Sequence, residues 1–217
     1  LLGAVSSQGI TVHNFSDGAD CTSTLCCLEK AGAKIVKKGN TISVSSPSGL
    51  SSPSSLLDAG NSGTTARTLC GLIAGKPGVK ATISGDSSLA KRPMLRVVKP
   101  LRSAGASIGG PSGGASLPLE ITGTRLQGVT HVLETPSAQV KTALLLAGLS
   151  SEEPTTIIEP VSTRDHTERM LGHLGIPLYL DRHSITMAPS RAPRGSEWTI
   201  PGDFSSAAFW IVAAAVL

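Results

Sequence analysis

The sequence predicts an α/β (α+β) fold of three βαβαββ units, related by approximate three-fold symmetry, with their central helices buried together. Two observations carry this reading. Strand-like and helix-like periodicities alternate along the chain. One local shape also recurs with a period of about 70 residues: a helix closing on a small residue and glycine, then a strand, a turn and a second strand. The copies are residues 27–44 (CLEKAGAKIVKKGNTISV), 100–110 continuing to 117–123 (PLRSAGASIGG, LPLEITG) and 170–187 (MLGHLGIPLYLDRHSITM). Gly32, Gly105 and Gly175 share one slot, where a helix C-cap requires positive φ and glycine takes it without steric cost.

The elements follow in order. In the second period residues 55–59 read as a strand, 62–74 as a helix, 79–84 as a strand and 93–104 as a helix. Pro93 suits a first helical turn, and Met94, Val97, Val98, Leu101 and Ala104 form an apolar stripe at helical spacing. The third period repeats this with strand 129–134, helix 137–149, strand 155–159 and helix 165–174. Helix 137–149 (SAQVKTALLLAGL) is apolar on most faces after its first turn, as a buried helix should be. The units are expected at about 1–50, 51–126 and 127–200, with 201–217 as a hinge and the start of a second domain.

Both ends read as interrupted. Leu1–Val5 is apolar, lacks the basic region of a signal peptide, and resembles the end of a helix. Residues 207–217 (AAFWIVAAAVL) form an apolar run without a C-cap, too short to span a bilayer, and are expected as a buried core helix.

The 217 residues are 40% hydrophobic and 16% charged with a net charge of +4, which excludes a disordered tail. One Tyr, two Trp and three Phe supply few stacking platforms, which argues against nucleic-acid binding. Cys21, Cys26, Cys27 and Cys70 have neither a disulfide-ladder spacing nor histidines at zinc-finger distances, and read as reduced thiols of a cytoplasmic protein.

Three polar loops precede helices, where backbone N–H groups and the helix dipole favour anions. Residues 60–67 (GNSGTTAR) let a ligand approach the backbone closely, and Asn61 or Ser62 can cap the helix. Residues 85–94 (GDSSLAKRPM) place Arg92 before a helix, with Arg96 and Lys99 at spacings that can share one face. Arginine suits forked recognition of carboxylate or phosphate. Residues 135–141 (TPSAQVK) offer Ser137 as a cap and Gln139 as both donor and acceptor. A fourth junction, 162–168 (STRDHTE), allows an acidic capping box from Asp165 and Glu168, which leaves Arg164 unexplained. Each loop can also be no more than a well-capped helix start or a solvated basic face. Ser112 in GPSGG (110–114) matches a nucleophile-elbow pattern but sits in a hairpin connection, and the five histidines include no HExxH.

In this order the segments LDAGNSGTTAR (57–67), GDSSLAKRPM (85–94), PSAQVKTALLLAGL (136–149), STRDHTERML (162–171) and PGDFSSAAF (201–209) resemble the 5-enolpyruvylshikimate-3-phosphate synthase family of enolpyruvyl transferases. The resemblance covers essentially the whole chain. It implies one of the family's two domains, each of three βαβαββ units. It also implies transfer of the enolpyruvyl group of phosphoenolpyruvate to the 5-hydroxyl of shikimate 3-phosphate, with release of phosphate and no metal or organic cofactor. By resemblance Asn61, Gly63, Arg92 and Gln139 lie on the phosphoenolpyruvate side, and Ser137, Ala138, Gln139 and Arg164 on the shikimate 3-phosphate side. Where some members carry a second serine this chain has Ala138, which leaves only a backbone contact. Gly63 stands where glyphosate-tolerant members often carry alanine.

The family's Lys-Ser-x-x-x-Arg segment and its acid/base residues find no match here. The chain is therefore expected to be a fragment that supplies substrate-binding residues but no catalytic residue, binding weakly and turning over nothing alone. The partners implied are small anionic substrates, without nucleic acid or membrane, and the full-length protein is expected to be a monomer. Two alternatives remain. UDP-N-acetylglucosamine enolpyruvyl transferase usually carries a cysteine about five residues before its Arg-Pro pair, where Ser87–Lys91 has none. A non-catalytic anion- or RNA-binding module would fit the basic charge.

Overall fold

The computed structural model describes residues 1–189 and 192–217. A 3-10 turn (Leu2–Ala4), β1 (Ile10–His13), α1 (Ala19–Lys30), β2 (Lys34–Lys38) and β3 (Thr41–Ser45) come first. The second period holds β4 (Leu57–Asp58), α2 (Gly63–Ala74), β5 (Lys80–Ser84), α3 (Leu95–Ser103), β6 (Ser107–Gly109), the single turn α4 (Pro111–Gly114) and β7 (Leu119–Thr122). The third holds β8 (Thr130–Val132), α5 (Ala138–Gly148), β9 (Thr155–Ile158), α6 (His166–His173), β10 (Leu178–Asp181) and β11 (Ser184–Met187). Strand β12 (Ser196–Thr199) and helix α7 (Phe204–Val216) close the chain.

The strands form three four-stranded sheets among the described residues, ordered β4-β5-β7-β6, β8-β9-β11-β10 and β12-β1-β3-β2. In each, the first pair is parallel and the other two are antiparallel. The expected repeat is therefore present as three copies of one topology. Gly32, Gly105 and Gly175 end α1, α3 and α6 with φ of 93°, 96° and 81°, in the left-handed region the C-cap reading requires.

The central helices α2 and α5 are buried along nearly their whole lengths. They cross so closely that a Cβ on Gly71 would lie 1.9 Å from the carbonyl oxygen of Ala143. Glycine is the residue that lets two backbones approach this far. Leu57, Leu69, Leu72, Ile83, Leu101, Leu119 and Leu145 pack between these helices and the sheets.

Four expectations need correction. Residues 196–199 do not stay with the third unit: β12 pairs in parallel with β1, with Ile10 opposite Ser196 and His13 opposite Thr199, and so supplies the first unit's missing strand. A repeat read along the chain cannot reveal a strand returned from its far end. The run 207–217 is not in the core; α7 has no buried residue, and Phe209 and Trp210 are 80% and 77% exposed. Its apolar character is real, but nothing among the described residues covers it. Helix α3 starts at Leu95, not Pro93: Met94 is its N-cap residue, with its N–H turned to the Ala115 carbonyl at 2.9 Å, and Arg92 is extended (φ −76°, ψ 140°). Arg92 therefore leaves the helical face it was expected to share with Arg96 and Lys99. Finally, the acidic capping box does not form: Asp165 is the N-cap residue of α6 but its side chain makes no capping bond, and Glu168 is buried in an ion pair.

Candidate functional site

The site is built on the first turns of α2 and α5. Ser62 caps α2 by accepting from the Thr65 N–H at 3.2 Å, and Ser137 caps α5 by accepting from the Val140 N–H at 3.4 Å. The remaining N–H groups of both first turns are free of intrahelical partners by construction, and the dipoles add positive potential.

Side chains cross-link this pair of helix heads. Arg67, one turn into α2 and only 6% exposed, donates from Nη1 to Gln139 Oε1 at 2.7 Å. The other end of that amide, Nε2, donates to Thr64 Oγ1 at 2.7 Å. Gln139 thus bridges α5 to α2 with both halves of its side chain. Beside it, Arg92 Nη2 donates to Asn61 Oδ1 at 2.6 Å, while Asn61 Nδ2 donates to Asp86 Oδ2 at 2.7 Å. Asp86 fixes the amide so that its oxygen faces the arginine. Gly63 lies between the two guanidinium groups: a Cβ there would be 2.7 Å from Arg67 Nη1 and 3.3 Å from Arg92 Nη1.

The network sets two arginines against one carboxylate. Burial first, then the charges of Arg96 and Arg92, push the Arg67 guanidinium below its ordinary value. Hydrogen bonds from Asn61 and from the Leu89 N–H hold the Asp86 carboxyl below the usual carboxylate range. Arg67 Nε is buried without a partner among the described residues. Cations collected at partial cost to themselves, with one donor unmet, suit a ligand of opposite charge.

Of the seven residues singled out, the structure joins Asn61, Gly63, Arg92 and Gln139 in one network, with Ser137 and Ala138 on the same helix head as Gln139. Arg164 is exposed two residues before α6 and outside this network. Sequence reading assigned no part to Arg67, although a lone arginine in an otherwise apolar helix was the available signal. It also missed Asp86, and the buried lysine Lys141, which stands in the same kind of apolar setting. None of these residues lines the 490 Å³ cavity formed by segments such as 4–9 and 45–47.

Three repeated four-stranded sheets around two buried helices, with arginines gathered beside one helix head, define an α/β protein of the βαβαββ-repeat class. The whole chain, residues 1–217, matches the family model of EPSP synthase (3-phosphoshikimate 1-carboxyvinyltransferase). It is similar to the 3-phosphoshikimate 1-carboxyvinyltransferases of Bacillus subtilis (44% identical over 219 residues) and Geobacillus kaustophilus (46%), matching 100% of this chain and 51% of each relative. It superimposes on EPSP synthase from Acinetobacter baumannii with a TM-score of 0.90 and 38% identity, over 99% of this chain and 49% of that one. The chain belongs to the EPSP synthase family and has the fold of one domain of the enolpyruvyl transferases. It spans about half the length of the curated relatives it matches. Among the described residues no helix is long and apolar enough to cross a membrane.

Proposed function

We propose that this chain supplies one substrate-binding half of a cytoplasmic enzyme of the shikimate pathway, leading to aromatic amino acids. The enzyme transfers the enolpyruvyl group of phosphoenolpyruvate to the 5-hydroxyl of shikimate 3-phosphate and releases phosphate. Family membership supports the reaction. The observation that carries the site is the Arg67–Gln139 pairing across the heads of α2 and α5, with the Arg92–Asn61 pair beside the head of α2.

In this reading Arg92, aimed by Asn61, grips the anionic end of phosphoenolpyruvate, and Gly63 keeps the space beside it open. Gln139, held by Arg67 and Thr64, lies between the two substrates and orients one against the other. The head of α5, with Ser137 and the backbone of Ala138, receives shikimate 3-phosphate, and Arg164 reaches its phosphate. Holding both reactants in one geometry contributes several kcal/mol to catalysis, about 7 or more in the best-oriented cases. The proton-transferring groups belong to the other half of the protein. Residues 201–217, ending in the uncovered helix α7, lead into that half. The full-length protein acts as a monomer without a cofactor.

The test is phosphate release by the full-length protein from phosphoenolpyruvate, with shikimate 3-phosphate or UDP-N-acetylglucosamine as acceptor. Release with shikimate 3-phosphate alone is expected. Release only with the UDP-sugar, or with neither, overturns the reading.

A further inference from the structure

The most unusual feature outside the Arg92 network is a cluster of three buried charges. The side chain of Lys141, in the first turns of α5, is 1% exposed, and those of Glu159 and Glu168 are 7% and 4% exposed. Lys141 Nζ lies 2.9 Å from Glu159 Oε2 and 2.5 Å from Glu168 Oε1. The other Glu159 oxygen accepts from Thr163 Oγ1 at 2.6 Å. Glu168 Oε2 has no partner among the described residues.

Such a cluster is a poor way to gain stability. Each buried ion loses its hydration, and well-packed apolar residues of similar volume often serve a fold as well or better. Ionic groups do specify one geometry, and here that geometry concerns a single segment. Between β9 and α6, residues 160–164 make no backbone-to-backbone hydrogen bond among the described residues. The chain is held at Glu159, whose N–H donates to the His183 carbonyl at 2.8 Å, and the Thr163 hydroxyl is tied back to the same glutamate. On the far side Glu168 holds the first turn of α6 to Lys141, and Thr142 and Thr167 share a hydrogen bond of 2.6 Å. Lys141 is thus the common anchor for both ends of the segment that carries Arg164. It stands two residues beyond Gln139 and four beyond Ser137 on the same helix.

We infer that Lys141, Glu159 and Glu168 form a positioning cluster that fixes segment 160–165, and Arg164 with it, against the head of α5. The cluster serves the side of the site that takes the phosphorylated acceptor, not the Arg92 side. This inference rests on the proposed function for its kinetic consequence but not for its structural one.

Two measurements on the full-length protein test it. Lys141→Met alone leaves two buried carboxylates unpaired and risks misfolding, so the variant of choice also carries Glu159→Gln and Glu168→Gln, which removes all three charges at nearly constant volume. Backbone amide order parameters in 161–166 are expected to fall from rigid values near about 0.85 to below about 0.6, with 61–67 unchanged. The KM for shikimate 3-phosphate is expected to rise about tenfold, with the KM for phosphoenolpyruvate and kcat changed less than about threefold. Unchanged order parameters in 161–166 of the folded variant, or an equal rise in both KM values, overturns the inference. If the wild-type protein transfers nothing, the functional reading fails, and the order parameters still decide whether the cluster anchors the segment.

Discussion

Arg67 Nη1 and Gln139 Oε1, 72 residues apart in sequence, meet at 2.7 Å and lock the heads of the two central helices together. The guanidinium is nearly out of water, so this amide oxygen is a main compensation for its desolvation. Replacing Gln139 by Leu strands the charge, and a loss of about 2–3 kcal/mol in stability is expected, the usual cost of unpairing a buried charged group. Chemical denaturation of the single variants and of the Arg67→Met/Gln139→Leu pair measures it. The double variant should recover part of the loss; strictly additive effects would deny the coupling.

Gly63 faces a different constraint. A methyl group there meets the ends of two arginines, not backbone, so the guanidinium groups move and the fold survives. Gly63→Ala should change stability by less than about 1 kcal/mol while shifting Arg92 enough to weaken phosphoenolpyruvate binding severalfold. Titration calorimetry on the full-length protein separates the two effects.

At Gly71 the obstacle is the Ala143 carbonyl, 1.9 Å from the added atom, and backbone cannot swing aside. Gly71→Ala must push α2 and α5 apart. A loss of about 3 kcal/mol or more is expected, at the severe end of overpacking. A melting temperature within a few degrees of the parent would show that the crossing is looser than the structure describes.

The Asp86 carboxyl titrates below the usual range because Asn61 and the Leu89 N–H bond to its ionised form. A group whose folded pKa is depressed adds stability above its unfolded pKa and loses it as the pH falls through the folded value. The Asn61 orientation should therefore persist through neutral and mildly acidic pH and fail only below the ordinary carboxylate range. Carbonyl-carbon NMR should place the Asp86 midpoint low in the parent and move it upward in Asn61→Ala. An identical midpoint in both would remove Asn61 as the main cause.

Much of this architecture could be read from residues alone, for identifiable reasons. The glycines at 32, 105 and 175 mark helix ends because only a left-handed residue fits there, and all three adopt that backbone. Ser62 and Ser137 are legible as caps because a cap bond is local in sequence. What stayed hidden depends on contacts between distant segments. Glu168 has the spacing of a capping residue, yet a buried lysine 27 positions earlier competes for it and wins, since an unpaired ammonium in the core costs far more than an uncapped N–H. Arg67 stands out as a lone cation in an apolar helix, but its partner Gln139 comes from another repeat and cannot be read along the helix. The apolar run in α7 announces burial correctly as chemistry and says nothing of what should cover it.

The pairing of β12 with β1 has a consequence for the order in which the protein is made. Synthesis runs from the N-terminus, and domains tend to fold as they emerge. The second sheet has all its strands once Thr122 has left the ribosome, and the third once Met187 has. The first sheet, whose other three strands are translated before those of the second and third, must wait for Ser196–Thr199. Throughout that interval β1 presents an open edge able to recruit any extended segment nearby. Of the three sheets the one begun first is thus the last to be completed, and translation pauses between 45 and 196 should lengthen the time its edge stays open.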